Sequence, residues 1–287
     1  AGADLHADAW PQVVKSFRCA WSGIAFLAAQ PHLESRVLAA QRRADALRLL
    51  EAMLEAPQCQ ESDVRDFLSL LNQTLADWPS DDRIWRGERA RALHFFEMIR
   101  DGQVLSLANE ELQLAIDDHG GSVDFGRWLY KHVDEDQFFY LETMRRLIDA
   151  CRSPFFERAP LLEELQSELR RLARSDRDPL LSRVMLLGDI EPAMQWQASD
   201  RMHCEVMQIA LQRSLGEGEA TQQSRRSPLT GRAYRVAALQ RQIRVEGDTE
   251  QGELGFAVSA PRYDLDLARA KPETPRTSRR PEPSRKP

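Results

Sequence analysis

The sequence predicts a mainly α-helical protein: an irregular bundle of about seven or eight helices with a small C-terminal β-hairpin and a disordered basic tail. Three observations lead there. Apolar residues recur at helical spacing from about residue 10 to residue 215. Of 15 prolines, six lie in the last 27 residues, so the first 260 have few breaks and room for long helices. At residue 216 the pattern changes to glycine, serine and short alternating runs. With 42% hydrophobic and 29% charged residues and a mean hydropathy of −0.51, the composition is that of a soluble globular chain, neither a membrane bundle nor a wholly disordered one. The expected organisation is a helical domain over 1–215, a small hairpin module packed on it over 216–268, and a tail over 269–287.

The helices can be placed in order. Residues 12–30 and 33–56 read as a tight hairpin broken at Pro31, the second helix turning Leu33, Val37, Leu47, Leu50 and Leu54 inward. Arg42, Arg43, Asp45 and Arg48 lie between those positions and read as its outer side. Ser62 suits an N-cap for a third helix, with Val64, Phe67, Leu68, Leu71 and Leu75 inward. Trp78-Pro79-Ser80-Asp81-Asp82 is a stop followed by a start, with Ser80 or Asp81 as cap. The next helix carries Ile84, Trp85, Leu93, Phe96 and Ile99. The pattern loosens over 102–126, where His119-Gly120-Gly121-Ser122 reads as a loop.

Phe138, Leu141, Met144, Leu147, Ile148 and Cys151 then mark a helix closed by Ser153-Pro154. Leu161, Leu162, Leu165, Leu169 and Leu172 mark another. Past Arg177-Asp178-Pro179, residues 190–215 give the last long helix, ended by Gly216-Glu217-Gly218. Ser227-Pro228-Leu229-Thr230-Gly231 has the composition of a tight turn. Short strands are expected at Ala233–Val236, Arg241–Val245 and Gly255–Val258.

Formal charge is −6 and the pI about 5.6, so the body is not a general nucleic-acid binder. The tail from Arg269 holds seven basic and two acidic residues, suiting either contact with anionic surfaces or a plain solubilising terminus. The longest uncharged run, Cys19 to Pro31, is 13 residues, short of the roughly 20 a membrane helix needs. The Ala-Gly-Ala start is what removal of an N-terminal signal or anchor would leave; an arbitrary chain boundary would leave the same start. Four cysteines (Cys19, Cys59, Cys151, Cys204) allow two disulfides in an oxidising compartment, but unpaired core thiols are the favoured expectation. A simple hairpin puts Cys19 and Cys59 about 15 residues out of register, roughly 22 Å at 1.5 Å per residue, too far for a disulfide.

Chemistry-bearing clusters are few. Asp117, Asp118 and His119, with His132 and Asp134-Glu135-Asp136 further on, hold oxygen and imidazole donors suited to a divalent metal. Their spacing fits no standard metal loop, and a solvated acidic loop ahead of a helix N-terminus accounts for them better. Glu88, set among arginines next to Trp85, is either one half of a surface ion pair or an acid in a cleft. Glu110-Glu111 and Glu163-Glu164 are sequence neighbours, which point apart on a helix, so neither is a dyad. Neighbours His203, Cys204 and Glu205 likewise do not face one another, and Cys204 reads as a core thiol. No phosphate loop, dinucleotide fingerprint, nucleophile elbow or zinc pattern is present, and no cofactor is called for. Catalytic candidates are thus Glu88, Asp117 and Asp118; metal candidates are Asp117, Asp118, His119 and His132.

One resemblance stands out. The Ile209-Ala210-Leu211-Gln212-Arg213 helix end, the Gly216–Gly218 turn and Ser227-Pro228-Leu229-Thr230-Gly231-Arg232-Ala233-Tyr234-Arg235-Val236 resemble a loosely defined set of bacterial envelope proteins. Those proteins carry a D-P-x-[ST]-G-x-P-[LY]-x-Y segment after a long helical body, and Gly87-Glu88-Arg89 is similar to a recurrent feature of such bodies. Here Ser227 replaces the aspartate, Ala233 the proline and Val236 the final aromatic. The resemblance implies an envelope address and a mainly helical fold; the set has no agreed activity, so it supplies no catalytic residue. The expected function is a non-catalytic periplasmic or envelope-anchored scaffold or accessory protein with protein partners, in a machine such as a secretion or pilus system. An envelope hydrolase with paired carboxylates in a cleft and a cytosolic helical adaptor are the alternatives.

Overall fold

The computed structural model describes residues 9–103, 122–172, 179–186, 190–217, 225–239, 242–246 and 262–266. The protein is mainly helical: the described residues form α1 Trp10–Ala28, α2 Leu33–Glu55, α3 Glu61–Ala76, α4 Asp82–Arg100, α5 Ser122–Ala150, α6 Phe155–Leu172, α7 Leu180–Leu186 and α8 Ile190–Ser214. Three short strands follow, β1 Arg235–Leu239, β2 Gln242–Glu246 and β3 Arg262–Asp266, antiparallel in the order β1-β2-β3. The expected strand at Gly255–Val258 and the tail at 269–287 lie outside the described residues. None of the described helices is long and apolar enough to cross a membrane.

Two apolar cores share one helix. The first gathers Phe17 and Trp21 of α1, Leu47 and Leu50 of α2, Phe67 and Leu71 of α3, and the C-terminal half of α8 from Met202 to Leu211. The second gathers Trp85 and Phe96 of α4, Phe125 and Met144 of α5, Leu162 and Leu165 of α6, Leu181 of α7, and Ala193 and Met194 near the start of α8. α8 is thus buried on most of its circumference, including Gln197, Ser199, Asp200 and Gln208. Such a helix loses the one-sided pattern that marks a surface helix. α1 is fixed to α3 by two indole donors: Trp10 Nε1–H to Asp63 Oδ2 at 3.1 Å and Trp21 Nε1–H to Thr74 Oγ1 at 2.8 Å. The Phe17 and Phe67 rings meet edge to face at 5.5 Å.

Several sequence-based expectations need correcting. α3 is capped by Gln60 rather than Ser62, with Asp63 returning a bond to the Gln60 N–H as in a capping box. At the start of α4 neither Ser80 nor Asp81 caps the backbone: Ser80 bonds Asp82, and Asp81 reaches a different element. α5 begins at Ser122, some sixteen residues before the stretch that marked it in sequence. Its buried stripe is Phe125, Leu129, Val133, Asp136, Tyr140, Met144 and Leu147, at spacings of three and four. Phe138, two residues from Asp136 and so about 200° round the helix, faces outward at 69% exposure instead of inward. α7 was not foreseen. No disulfide joins the four cysteines; Cys204 is a core thiol, but Cys19 is exposed.

Two glycines set close approaches. A Cβ on Gly87 would lie 1.8 Å from the Pro31 carbonyl oxygen, so only glycine lets α4 cross the α1–α2 loop there. Gly231 has a φ of +71°, and a Cβ on it would come within 2.9 Å of the Phe156 ring. The turn it closes is the one the sequence indicates: the Gly231 N–H donates to the Ser227 carbonyl at 2.8 Å, and Ser227 Oγ accepts from the Leu229 N–H at 3.2 Å. This turn sits on the N-terminal end of α6 and against α8, where Leu229 and Tyr234 join the first core.

Candidate functional site

Where the two cores meet, a pocket of about 510 Å³ opens between the α3–α4 loop, the α5–α6 loop, one face of α8 and the Arg226–Pro228 segment. α8 contributes Gln197, Arg201 and Glu205, four residues apart and therefore stacked along one face. The loops contribute Trp78, Asp81, Cys151 and, from the first turn of α6, Arg158.

Every carboxylate in the wall is held. Asp81 accepts from Arg158 Nη2 at 2.8 Å. Glu205 accepts from Arg201 Nε at 2.9 Å through one oxygen and from the Tyr234 hydroxyl at 2.6 Å through the other. Burial, reinforced by the Glu205 charge, pushes the Tyr234 phenol well above its ordinary range, so it stays a donor. Arg158 is buried; its Nε donates to the Ser153 carbonyl at 2.6 Å and Nη2 to the Cys151 carbonyl at 3.2 Å. Its Nη1 has no partner among the described residues. Gln197 is 2% exposed, and neither its amide oxygen nor its amide nitrogen has a hydrogen-bond partner there. Burial pushes the Cys151 thiol up to about 12, so it remains protonated at neutral pH.

Trp78 links the pocket to a buried charge cluster. The guanidinium groups of Arg36 and Arg43, one helical face of α2, lie 4.7 and 4.8 Å from its ring centroid. Asp200 of α8 pairs with Arg43 and stands 4.0 Å from Arg36. All three side chains are almost fully enclosed. Burial is the largest influence on both cations and works against them: Arg36 is lowered below its ordinary pKa, whereas for Arg43 the attraction of Asp200 and Cys204 and the Asp200 hydrogen bond together leave it raised. Arg36 Nη2 and Arg43 Nε make no hydrogen bond among the described residues. Two cations thus share one anion in the interior.

The residues singled out in sequence lie elsewhere. Glu88 is 11% exposed at the side chain and does not line the pocket; Oε1 accepts the Leu33 N–H at 3.0 Å and Oε2 pairs with Arg91 at 2.7 Å. It caps the start of α2 from α4, a carboxylate placed against the positive end of a helix, beside the glycine that permits the crossing. Asp117, Asp118 and His119 lie outside the described residues. His132 stands on α5 with its ring 5.0 Å from Trp128 and Nδ1 3.8 Å from Glu135. Asp134 pairs with Arg100 at 2.6 Å. Asp136 is buried and caps α7, accepting from the Leu181 N–H at 2.8 Å and the Ser182 N–H at 2.9 Å. The described acids of this region thus serve three separate contacts, and no group of three metal-ligating side chains occurs among the described residues.

Sequence reasoning missed Arg36, Arg43, Asp200, Gln197, Asp81 and Arg158. A signal existed for some: Arg36, Ala39, Arg43, Leu47, Leu50 and Met53 form a single buried stripe at helical spacing, with two arginines inside it. No family model matches the chain, and neither a curated protein nor a solved structure matches it.

Proposed function

We propose that this chain is a non-catalytic helical scaffold or accessory protein that works by binding other proteins, with the pocket at the core junction as its contact point. The chemistry of the pocket wall supports this most directly. General bases and nucleophiles are marked by a pKa tuned to the working pH and by a partner that activates them. Here Asp81 is held by Arg158, Glu205 by Arg201 and Tyr234, and Cys151 keeps its proton. What the wall offers instead is hydrogen-bonding capacity and positive charge, the properties of a recognition site.

The address we propose is the bacterial cell envelope, in an assembly such as a secretion or pilus system, on the strength of the resemblance around Ser227–Val236. In this reading residues 216–268 are a β-hairpin module on the helical body, and the basic tail at 269–287 contacts anionic surfaces. The Ser227–Gly231 turn belongs to the contact surface, since Arg226 and Pro228 border the pocket.

Site-specific photo-crosslinking in the native host tests it. A benzophenone amino acid placed at Arg152, exposed at the pocket mouth, should give discrete adducts with one or a few envelope proteins, and the same probe at exposed Tyr130 on α5 should not. Adducts from neither position, or turnover of a hydrolase substrate by the purified protein that is lost in Glu205→Gln, would overturn the reading.

A further inference from the structure

We infer that the pocket recognises an extended peptide carrying a carboxylate, and that the enclosed Gln197 amide and Arg158 guanidinium turn toward it to pair with one peptide unit and with the carboxylate. This rests on the proposal that the protein works through protein contacts, and it names the chemistry of the partner.

The Gln197 side chain is the first reason. An enclosed amide with both its donor and its acceptor unused is costly in a finished core. A backbone peptide group offers one N–H and one C=O side by side, which is what Gln197 Oε1 and Nε2 lack. A fully deprotonated oxyanion such as sulfate, having only acceptors, would leave Gln197 Oε1 unpaired. Strand-like pairing of main-chain groups is a common mode of peptide recognition.

Arg158 is the second. Three of its guanidinium contacts hold the α5–α6 loop and Asp81 in place, and Nη1 is left over on a cation that is 4% exposed. A carboxylate is the natural acceptor for a rigid guanidinium edge. The third is charge. The wall contains four arginines (Arg152, Arg158, Arg201, Arg226) and two carboxylates, both of which are already paired. Arg152 is paired outside the wall with Asp149 at 3.5 Å, so it is Arg226 that leaves the mouth positive on a chain whose overall charge is −6. Phe155, Phe156 and Pro228 supply apolar surface for a neighbouring side chain, and about 510 Å³ falls within the usual range of ligand pockets.

The carboxylate could come from a chain terminus or from an Asp or Glu side chain, and one experiment separates them. Two random heptapeptide libraries are displayed on phage, one with a free C-terminus and one with both ends internal, and each is selected on the full-length protein. Binders are remade as fluorescein-labelled peptides and titrated by anisotropy. A consensus carboxylate is expected in one library: at the terminus in the first, or as Asp or Glu at a fixed position in the second. Replacing that carboxylate by its amide should weaken binding at least tenfold. Gln197→Leu and Arg226→Glu should each do the same, and added salt should weaken it further.

Selection of peptides without a consensus acid, or binding indifferent to Gln197→Leu, would overturn the inference. If acid-free peptides bind and Arg152 crosslinks persist, the protein-contact proposal stands while the acidic-peptide inference falls. If no peptide is enriched and Arg152 yields no adduct, both fall. The folding of each variant is checked by its circular-dichroism melting curve, and Arg226→Glu, at an exposed position, keeps the test independent of core packing.

Discussion

Two buried aspartates in this molecule do opposite jobs. Asp136 lies between α5 and α7 and is satisfied by the main-chain N–H groups of Leu181 and Ser182 and by the Ser182 hydroxyl. The one Ser182 hydroxyl proton is shared with the Asp136 carbonyl at 2.8 Å, and neither side chain of that pair has a buried polar atom without a partner among the described residues. Asp200 lies between α2 and α8 and must serve Arg36 and Arg43 together, and two guanidinium nitrogens remain without a bond. The first arrangement is a helix cap that happens to be buried. The second, together with Gln197 and Arg158 nearby on the pocket wall, gathers into one region most of the buried side-chain atoms that lack a hydrogen bond among the described residues. Native cores keep such atoms few, and a cluster of them marks a place where packing is not the sole demand.

The comparison can be broken from either side. Asp200→Ala should have the largest effect, because it strands two enclosed cations; removing one partner of a buried pair costs about 3–5 kcal/mol. Urea unfolding should show this as a lowered midpoint at constant slope, and Asp200→Leu combined with Arg36→Met and Arg43→Met should recover most of the loss. Asp136→Ala should cost less, about 2–3 kcal/mol, the sum of a lost cap and buried N–H groups left unpaired. Hydrogen exchange should place that loss in α7, whereas Asp200→Ala should loosen α2 and α8.

Smaller still, Gly231→Ala forces a β-carbon into a positive-φ position beside Phe156, worth about 1–2 kcal/mol. The same melting experiment should register it without loss of helix content. Alkaline pH probes the two cores and the pocket wall together. Cys151, Cys204, Tyr140 and Tyr234 are all pushed upward by burial, so the folded chain holds protons that the unfolded chain releases. Their contribution is present in full below about pH 9 and declines as pH rises, by up to about 1.4 kcal/mol per unit for each group. A denaturation midpoint that rose between pH 9 and 11 would contradict those burials.

Much of the helical layout was legible in the chain because its punctuation is local. Trp78-Pro79 ends α3, and Gly216 ends α8 through N–H bonds from Gly216 to Arg213 and from Glu217 to Gln212, the pattern its sequence suggests. Where the signal depends on distant partners, local reading fails. Arg43 looks like part of a solvated face until Asp200, 157 residues away, is brought to it. Asp81 looks like an N-cap until Arg158 claims it. The start of α5 was hidden because Asp136 occupies a place in its buried stripe, and a charge there breaks the apolar pattern. The Ser227–Gly231 turn was legible, but its contact with Phe156 was not, since nothing in a turn's composition says what it rests on.

The stability of Gln197→Leu tests most directly whether the wall of the pocket is polar for recognition or for folding. Leucine fills similar space and removes two buried atoms that have no partner among the described residues, so the urea midpoint should be unchanged or raised. A loss of more than about 2 kcal/mol, the size expected when a working buried hydrogen bond is broken, would show that the fold itself depends on this amide.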